Sequence, residues 1–341
     1  MAIIINTRVG TNKGTARIWL QGNMLERGNF TVASQYNRQI KGDKLFMAVN
    51  SKGRFKVSRK SGGIPVIDIQ NQMLETVFGI GTKIKAVIRS GKVVIRKAIQ
   101  TLKTHQREAR VIGKIEQGET LSTASLFHGG GIMAKALHQG MGEAGVDTAV
   151  RVACEMQWQY MDASLAANPE LFNDTSVLVT GPLEDAGIPS DTHVDILEAG
   201  IPCTGASTSG RAKNKTANAE QHAASGAMFY YTLRWIEALQ PAVVVLENVK
   251  AYQSTASMDV VRSMLDQLDY DLHETVLNGN DFGALENRDR MVAVAVSKGL
   301  ADHMDDLLIT PTHTKAPNVG AILEPISDDS DLWQRYDYLN A

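Results

Sequence analysis

Ser122-Thr-Ala-Ser125-Leu-Phe127-His128-Gly129-Gly-Gly131, then the helix-like stretch Met133–Gly140, then Ala149-Val-Arg-Val-Ala-Cys154-Glu155, decide the fold. The first apolar run reads as a strand and the glycine triplet as a turn that lets the backbone approach a ligand. The second apolar run reads as a neighbouring strand that ends on an acid. Strand, glycine-rich turn, helix, strand and acid, in that order, make a nucleotide-binding unit in which the acid accepts hydrogen bonds from ribose hydroxyls. Glu155 follows Gly131 by 24 residues, a normal spacing for that role. The alternation continues: Val177-Leu-Val-Thr-Gly181 predicts a third strand and His193-Val-Asp-Ile-Leu197 a fourth. Ala219–Leu239 predicts a helix and Val243-Val-Val-Leu246 a further strand. The expectation is an α/β, Rossmann-like sheet from residue 121 onward.

Chemistry-bearing residues cluster where such a sheet places its reactive groups, on loops beyond the carboxyl ends of strands. Gly200-Ile-Pro-Cys203-Thr-Gly-Ala-Ser207 follows one strand, Glu247-Asn-Val249 ends another, and Glu286-Asn-Arg288-Asp-Arg290 comes later. A nucleophile, a carboxylic acid and paired arginines suggest covalent chemistry on a base. The set resembles the cytosine-C5 DNA methyltransferase family. Its members carry a Pro-Cys loop with Ser four residues after the Cys, then Glu-Asn-Val, then Gln-x-Arg-x-Arg, in the order found here. The resemblance covers residues 121–325.

That resemblance implies an S-adenosylmethionine-dependent methyltransferase sheet, S-adenosylmethionine as cofactor, no metal, and double-stranded DNA as partner. It implies Cys203 as the nucleophile that adds to C6 of a flipped cytosine. Glu247 would bind N3 and the exocyclic amine, with Arg288 and Arg290 supporting the ring carbonyl, Glu247 and the nucleophile loop. Toward the cofactor it implies Phe127, Gly129 and Gly131, Glu155 at the ribose, Met156 against the adenine face, and Met228. The chain departs from the family pattern at three places. Ser125 stands where the first motif has its leading acid and Pro182 where the third strand has an acid facing the adenine amine, both still expected at the cofactor, and Glu286 stands where the family has Gln.

In the family a variable recognition domain follows the arginine motif, and a Gly-Asn helix returns to the cofactor. Here Val319-Gly-Ala-Ile-Leu-Glu-Pro325 resembles the segment before that domain, and the Gly-Asn element is expected to be missing. Three explanations stay open: a basic N-terminal domain replaces the recognition domain, a second polypeptide supplies it, or the protein binds without turnover. An RNA cytosine-C5 methyltransferase and a non-catalytic DNA-binding regulator are the alternative functions.

The N-terminal part has a different character. Residues 1–120 hold 22 Lys/Arg against 7 Asp/Glu, a net +15, and the remainder holds 13 against 30, a net −17. Such asymmetry points to a polyanionic partner. Gln21-Gly-Asn-Met-Leu-Glu26 recurs as Gln70-Asn-Gln-Met-Leu-Glu75. Each copy is preceded by a β-like run and followed by a hairpin whose alternation predicts Phe, Val and Ile on one face and Lys and Arg on the other. Strand, short helix and hairpin, twice over, resembles the swapped-hairpin barrel of AbrB-type DNA-binding proteins. The expected organisation is a β-rich basic domain over residues 1–100, a linker over 101–120 and a catalytic domain over 121–341. No run of 18 apolar residues or basic leader is evident, so no membrane partner and a cytoplasmic location are expected. Two cysteines are too few for a disulfide framework, and Cys154 reads as core. Trp19, Trp158 and Trp235 read as packing residues.

Overall fold

The computed structural model describes all residues except 189–191, 203–219, 221, 223–224, 303–308, 312–317, 319, 321–322, 328, 332 and 334–341. It divides into two units, Met1–Gly113 and Lys114–Ala341.

In the first unit the repeat governs strand pairing. The first copy comprises β1 (Ile3–Arg8), β2 (Gly10–Asn12), β3 (Thr15–Gln21), a helix Asn23–Arg27, β4 (Gln35–Lys41) and β5 (Lys44–Val49). The second comprises β6 (Phe55–Lys56), β7 (Ser58–Arg59), β8 (Pro65–Gln70), a helix Met73–Phe78, β9 (Lys83–Arg89) and β10 (Lys92–Lys97). They form a six-stranded sheet, β1-β9-β10-β5-β4-β6, and a four-stranded sheet, β2-β3-β8-β7. The copies exchange strands: β1 of the first pairs with β9 of the second, and β6 of the second pairs with β4 of the first. Leu25 and Leu74, equivalent in the repeat, are both buried in one core with Ile18, Phe30, Ile69, Phe78, Ile84 and Ile88. Full burial of each such side chain contributes about 1.5–3 kcal/mol.

The hairpins depart from the expected segregation of faces. Ile84, Ala86, Ile88, Val93 and Ile95 are buried, as alternation predicts. Phe46, however, lies on the outer face and is 37% exposed. The cross-strand register sets Ile4 beside Val87, Val87 beside Val94 and Val94 beside Phe46, an apolar row across the outside of the sheet. Basic side chains flank it, Lys85 and Arg96 as one pair and Arg89 and Lys92 as another. A period-2 pattern fixes which residues share a face, but a strand with apolar residues on both faces leaves the outer one free to carry Val and Phe.

Residues 101–120, expected as linker, are mostly helical: one helix runs Ile99–Gln117. Thr101, Thr104, Arg107 and Val111 form its buried stripe, at spacings of three and four residues.

The second unit is a seven-stranded sheet in the order β13-β12-β11-β14-β15-β17-β16. Its strands are β11 (Leu121–Leu126), β12 (Thr148–Glu155), β13 (Val177–Thr180), β14 (Ile196–Gly200), β15 (Val243–Val249), β16 (Tyr270–Asn278) and β17 (Asp289–Ser297). The run from β13 to β15 is parallel, and β17 lies antiparallel between β15 and β16. β11 and β14 are buried along almost their whole length, as strands covered on both faces must be. Helices Ile132–Glu143, Trp158–Ala167, Met228–Leu239 and Ala256–Gln267 connect the strands. Helix Met228–Leu239 is shorter than the predicted 219–239. Its apolar face delivers Leu233, Trp235, Ile236 and Leu239 to the main core. A partly buried ion pair of 2.6 Å joins Lys114 Nζ to Asp195, whose Oδ2 also accepts from the Ser122 N–H and hydroxyl. Among the described residues no helix is long and apolar enough to cross a membrane.

Candidate active site at the carboxyl ends of the parallel strands

Strand order reverses direction between β11 and β14, so their carboxyl ends open a crevice at the topological switch point. A cavity of about 610 Å³ occupies it. One wall is the turn after β11, where Phe127 (φ 57°), Gly129 (φ 55°) and Gly131 (φ 77°) are all left-handed. For a bulky aromatic that conformation costs about 1–3 kcal/mol and persists only when its surroundings enforce it. Phe127 packs against the main core while also lining the cavity.

Beneath the turn lies a buried polar chain. His128 Nδ1 is 2.7 Å from Ser125 Oγ, and its Nε2 is 2.8 Å from Ser164 Oγ. Burial lowers the His128 pKa, against the opposing field of Glu155, so the ring is neutral and one nitrogen donates while the other accepts. Ser125 also hydrogen-bonds Glu198, its partner in register on β14. Gly131 closes over this chain: a Cβ there would stand 2.3 Å from Ser164 Oγ and 3.0 Å from His128 Nε2.

The far wall carries the acid and arginines. Glu247, on β15, is held by Arg290 Nε at 2.7 Å. Burial pushes the Glu247 carboxyl up and the Arg288 guanidinium opposes it; the upward push is the larger. Arg288 lies 3.4 Å from Glu286. Next to Glu247, buried Asn248 donates from Nδ2 to the Ile201 carbonyl at 3.0 Å, tying β15 to the start of the Pro202 loop. A Cβ on Gly200 would lie 3.7 Å from Glu247 Oε2.

The structure thus brings Phe127, Gly129, Glu247, Arg288 and Arg290 to one cavity. Cys203 lies outside the described residues. Glu155 ends β12 and receives the Gly129 N–H at 2.7 Å and the Gln157 N–H at 3.0 Å, so it braces the glycine turn with part of its acceptor capacity. Met156 is 69% exposed on the loop beyond it, and Pro182 is exposed after β13.

Three of the expected cofactor contacts, Ser125, Gly131 and Met228, are not among the residues lining the cavity. Ser125 is fully buried, and its hydroxyl is committed to Glu198 and His128, so it offers a ligand no surface. Met228 is 8% exposed and belongs to the main core. Gly131 is required by close packing on Ser164 and is not among the cavity lining. Trp158, expected to pack, is 62% exposed at a helix start. Cys154 is core, its thiol pushed up to about 12 by burial. Sequence reasoning missed Glu198 and the turn Gly279–Phe282, which also lines the cavity. The Asn278-Gly279 dipeptide was the available signal for that turn.

Residues 121–338 match C-5 cytosine-specific DNA methylase. Type II methyltransferase M.HhaI of Haemophilus parahaemolyticus is 33% identical over 109 residues, 31% of this chain and 32% of that protein. Type II methyltransferase M.SsoII of Shigella sonnei is 29% identical over 208 residues, 57% of this chain and 51% of that protein. The chain therefore spans between about a third and a half of the length of these relatives. A methyltransferase structure from Entamoeba histolytica superposes with a TM-score of 0.46 at 12% identity, covering 62% of each chain.

Proposed function

This chain belongs to the C-5 cytosine-specific DNA methylase family, and from that membership we propose that it methylates C5 of cytosine in double-stranded DNA, with Cys203 as nucleophile. The observation that carries the reading is the convergence of Glu247, Arg288 and Arg290 with the glycine turn on one cavity. Asn248 adds to it by fixing the backbone two residues before Cys203.

The residues fit S-adenosylmethionine. The left-handed turn at Gly129 admits close backbone approach, Glu155 keeps acceptor capacity for a ribose, and Glu198, one of whose buried oxygens has no partner, lines the cavity. When bound, that cofactor supplies an electrophilic methyl group. C5 of cytosine is a weak nucleophile until C6 is attacked, so the target base leaves the helix and the Cys203 thiolate adds to C6. Glu247, biased toward its protonated form by burial, donates to N3 and accepts from the exocyclic amine, offsetting charge on the ring. Arg290 holds Glu247 in place, and Arg288 meets the ring carbonyl or a phosphate. C5 gains the methyl group and gives its proton to a base or water, and Cys203 departs to restore the ring.

For the N-terminal unit the proposed role is target recognition on an AbrB-like barrel. Strand exchange between the two repeats supports it, as does the +15 charge of residues 1–120. A groove of about 580 Å³ on its six-stranded sheet offers Arg38 stacked over Phe55 at 4.0 Å, with Phe46, Arg54 and Lys92. Cations interleaved with aromatics suit a phosphate backbone and base faces. The proposed compartment is the cytoplasm.

The test is methyl transfer from labelled S-adenosylmethionine to duplex DNA, wild type beside Cys203→Ala, with bisulfite sequencing of the product. Label at cytosine C5 that vanishes in the variant supports the enzyme. DNA binding without label in wild type refutes this reading for the chain alone and favours a binding protein or a missing second polypeptide. Label in RNA alone would redirect the substrate.

A further inference from the structure

Glu198 is an acid in a place that ordinarily excludes one. It sits mid-sheet on β14, 2% exposed, between β11 and β15. One side of its carboxyl is engaged by the Ser125 hydroxyl, while Oε1 has no hydrogen-bond partner. Leaving a buried carboxyl oxygen unsatisfied costs on the order of 1–3 kcal/mol. The residue nevertheless lines the cavity, as do Gly129 and Gly200. Its neighbour in register is Ser125, the position where this chain lacks the family's acid. The acid missing from β11 has a counterpart one strand over.

The order β12-β11-β14-β15 also sets out what a ligand would meet. Glu155 ends β12, the glycine turn ends β11, Glu198 lies on β14 and Glu247 on β15. In a nucleoside whose ribose faces Glu155 and whose reacting methyl faces the base site at Glu247, the amino-acid arm branches from the sulfur between them, over the β11 and β14 ends where Glu198 lies. A buried carboxyl with a free oxygen is completed best by a charged hydrogen-bond donor.

We propose that Glu198 is the carboxylate that receives the amino-acid ammonium of the bound cofactor, supplying from β14 the acid that Ser125 no longer provides. The inference rests on S-adenosylmethionine being the cofactor. Burial lifts this carboxyl to about 7, against the Ser125 hydrogen bond, so the group is poised to give up its proton when a cation arrives. The groups facing it agree with that behaviour. From β11 these are Ser125 and, behind it, His128, whose pKa burial lowers, and from β15 it is Glu247, paired with Arg290 of β17.

Calorimetric binding of three nucleosides to the full chain tests this without turnover. S-adenosylmethionine and S-adenosylhomocysteine both carry the ammonium, only the first carries the sulfonium charge, and 5′-methylthioadenosine carries neither. Wild type should prefer the first two over the third. Glu198→Gln should weaken both ammonium ligands by about tenfold or more, the scale of one charge-assisted hydrogen bond, and leave 5′-methylthioadenosine unchanged. Ser125→Asp combined with Glu198→Ala returns the acid to β11 and should recover affinity lost in Glu198→Ala alone, which guards against a mere folding defect. Equal affinities in wild type and Glu198→Gln overturn the proposal. So does a loss confined to S-adenosylmethionine, which would assign the carboxylate to the sulfonium. If wild type binds none of the three, the cofactor assignment itself fails, and this proposal with it.

Discussion

Replacing Gly131 with alanine should destabilise the Lys114–Ala341 unit through two separable effects. The residue is left-handed at φ 77°, which costs an L side chain about 1–2 kcal/mol. The new Cβ would also stand 2.3 Å from Ser164 Oγ, a buried atom with no room to withdraw while it keeps its 2.8 Å bond to His128 Nε2. Breaking that bond strands a buried ring nitrogen, at about 1–3 kcal/mol. The sum is roughly 3 kcal/mol, which for a unit of this size lowers the melting temperature by about 6–12 °C. Thermal and urea unfolding, followed by the fluorescence of buried Trp235, measure it. Gly129→Ala is the internal control: its φ is 55° but a Cβ there meets nothing within 4 Å, so only the backbone cost remains. Ser164→Ala supplies the other half of a cycle. It forfeits the same hydrogen bond, so the double variant should cost clearly less than the two singles together. If Gly131→Ala is no worse than Gly129→Ala, or if Gly131→Ala and Ser164→Ala are additive, the reasoning about the Ser164–His128 chain is wrong.

Three further outcomes are expected. Glu198 holds its proton more tightly folded, at about 7, than its ordinary value of 4.5. Its contribution is therefore fully present below the unfolded value and is lost as pH rises toward 7. Wild type should lose roughly 3 kcal/mol relative to Glu198→Gln between pH 4.5 and 7, and parallel stability curves would exclude it. Asn248→Ala removes the Nδ2 bond to the Ile201 carbonyl and should lower the rate of methyl transfer about tenfold or more with little change in cofactor affinity; an unchanged rate would show that the loop is positioned otherwise. Triple replacement of Arg38, Arg54 and Lys92 by alanine should weaken DNA binding and flatten its salt dependence by about two to three phosphate contacts, whereas an unaltered slope would move the DNA off that groove.

The parts of this protein that were legible in its sequence are those fixed by local order. Gly129, Glu155 and Glu247 each stand at or just beyond the end of a strand that its own apolar run announced, whereas Arg288 and Arg290, at the start of antiparallel β17, were expected only through the family motif. Ser125, Gly131 and Met228 lie buried off the cavity lining, which the sequence did not foretell because burial depends on partners far along the chain. Nothing near Gly131 tells that Ser164 will press against it. Glu198 went unseen for the same reason. Within an apolar strand it reads as an oddity, and only the β11–β14 register sets it against Ser125. Phe46 shows the limit of periodicity, which states that two residues share a face without stating which face is wet.

The exchange of strands between the two N-terminal repeats has a consequence for information. A swapped barrel made from two identical chains must present the same surface twice, and so reads a site with the same symmetry. Here both halves lie on one chain, with β1 completing the second copy and β6 the first. Each half can therefore drift on its own. Gln21-Gly-Asn and Gln70-Asn-Gln already differ, and Arg17 meets Asp68 in a bidentate pair of 2.7 and 2.9 Å across the β3–β8 seam. On the proposed target-recognition role, a duplicated half that has escaped its mirror can spell a site that is not a palindrome.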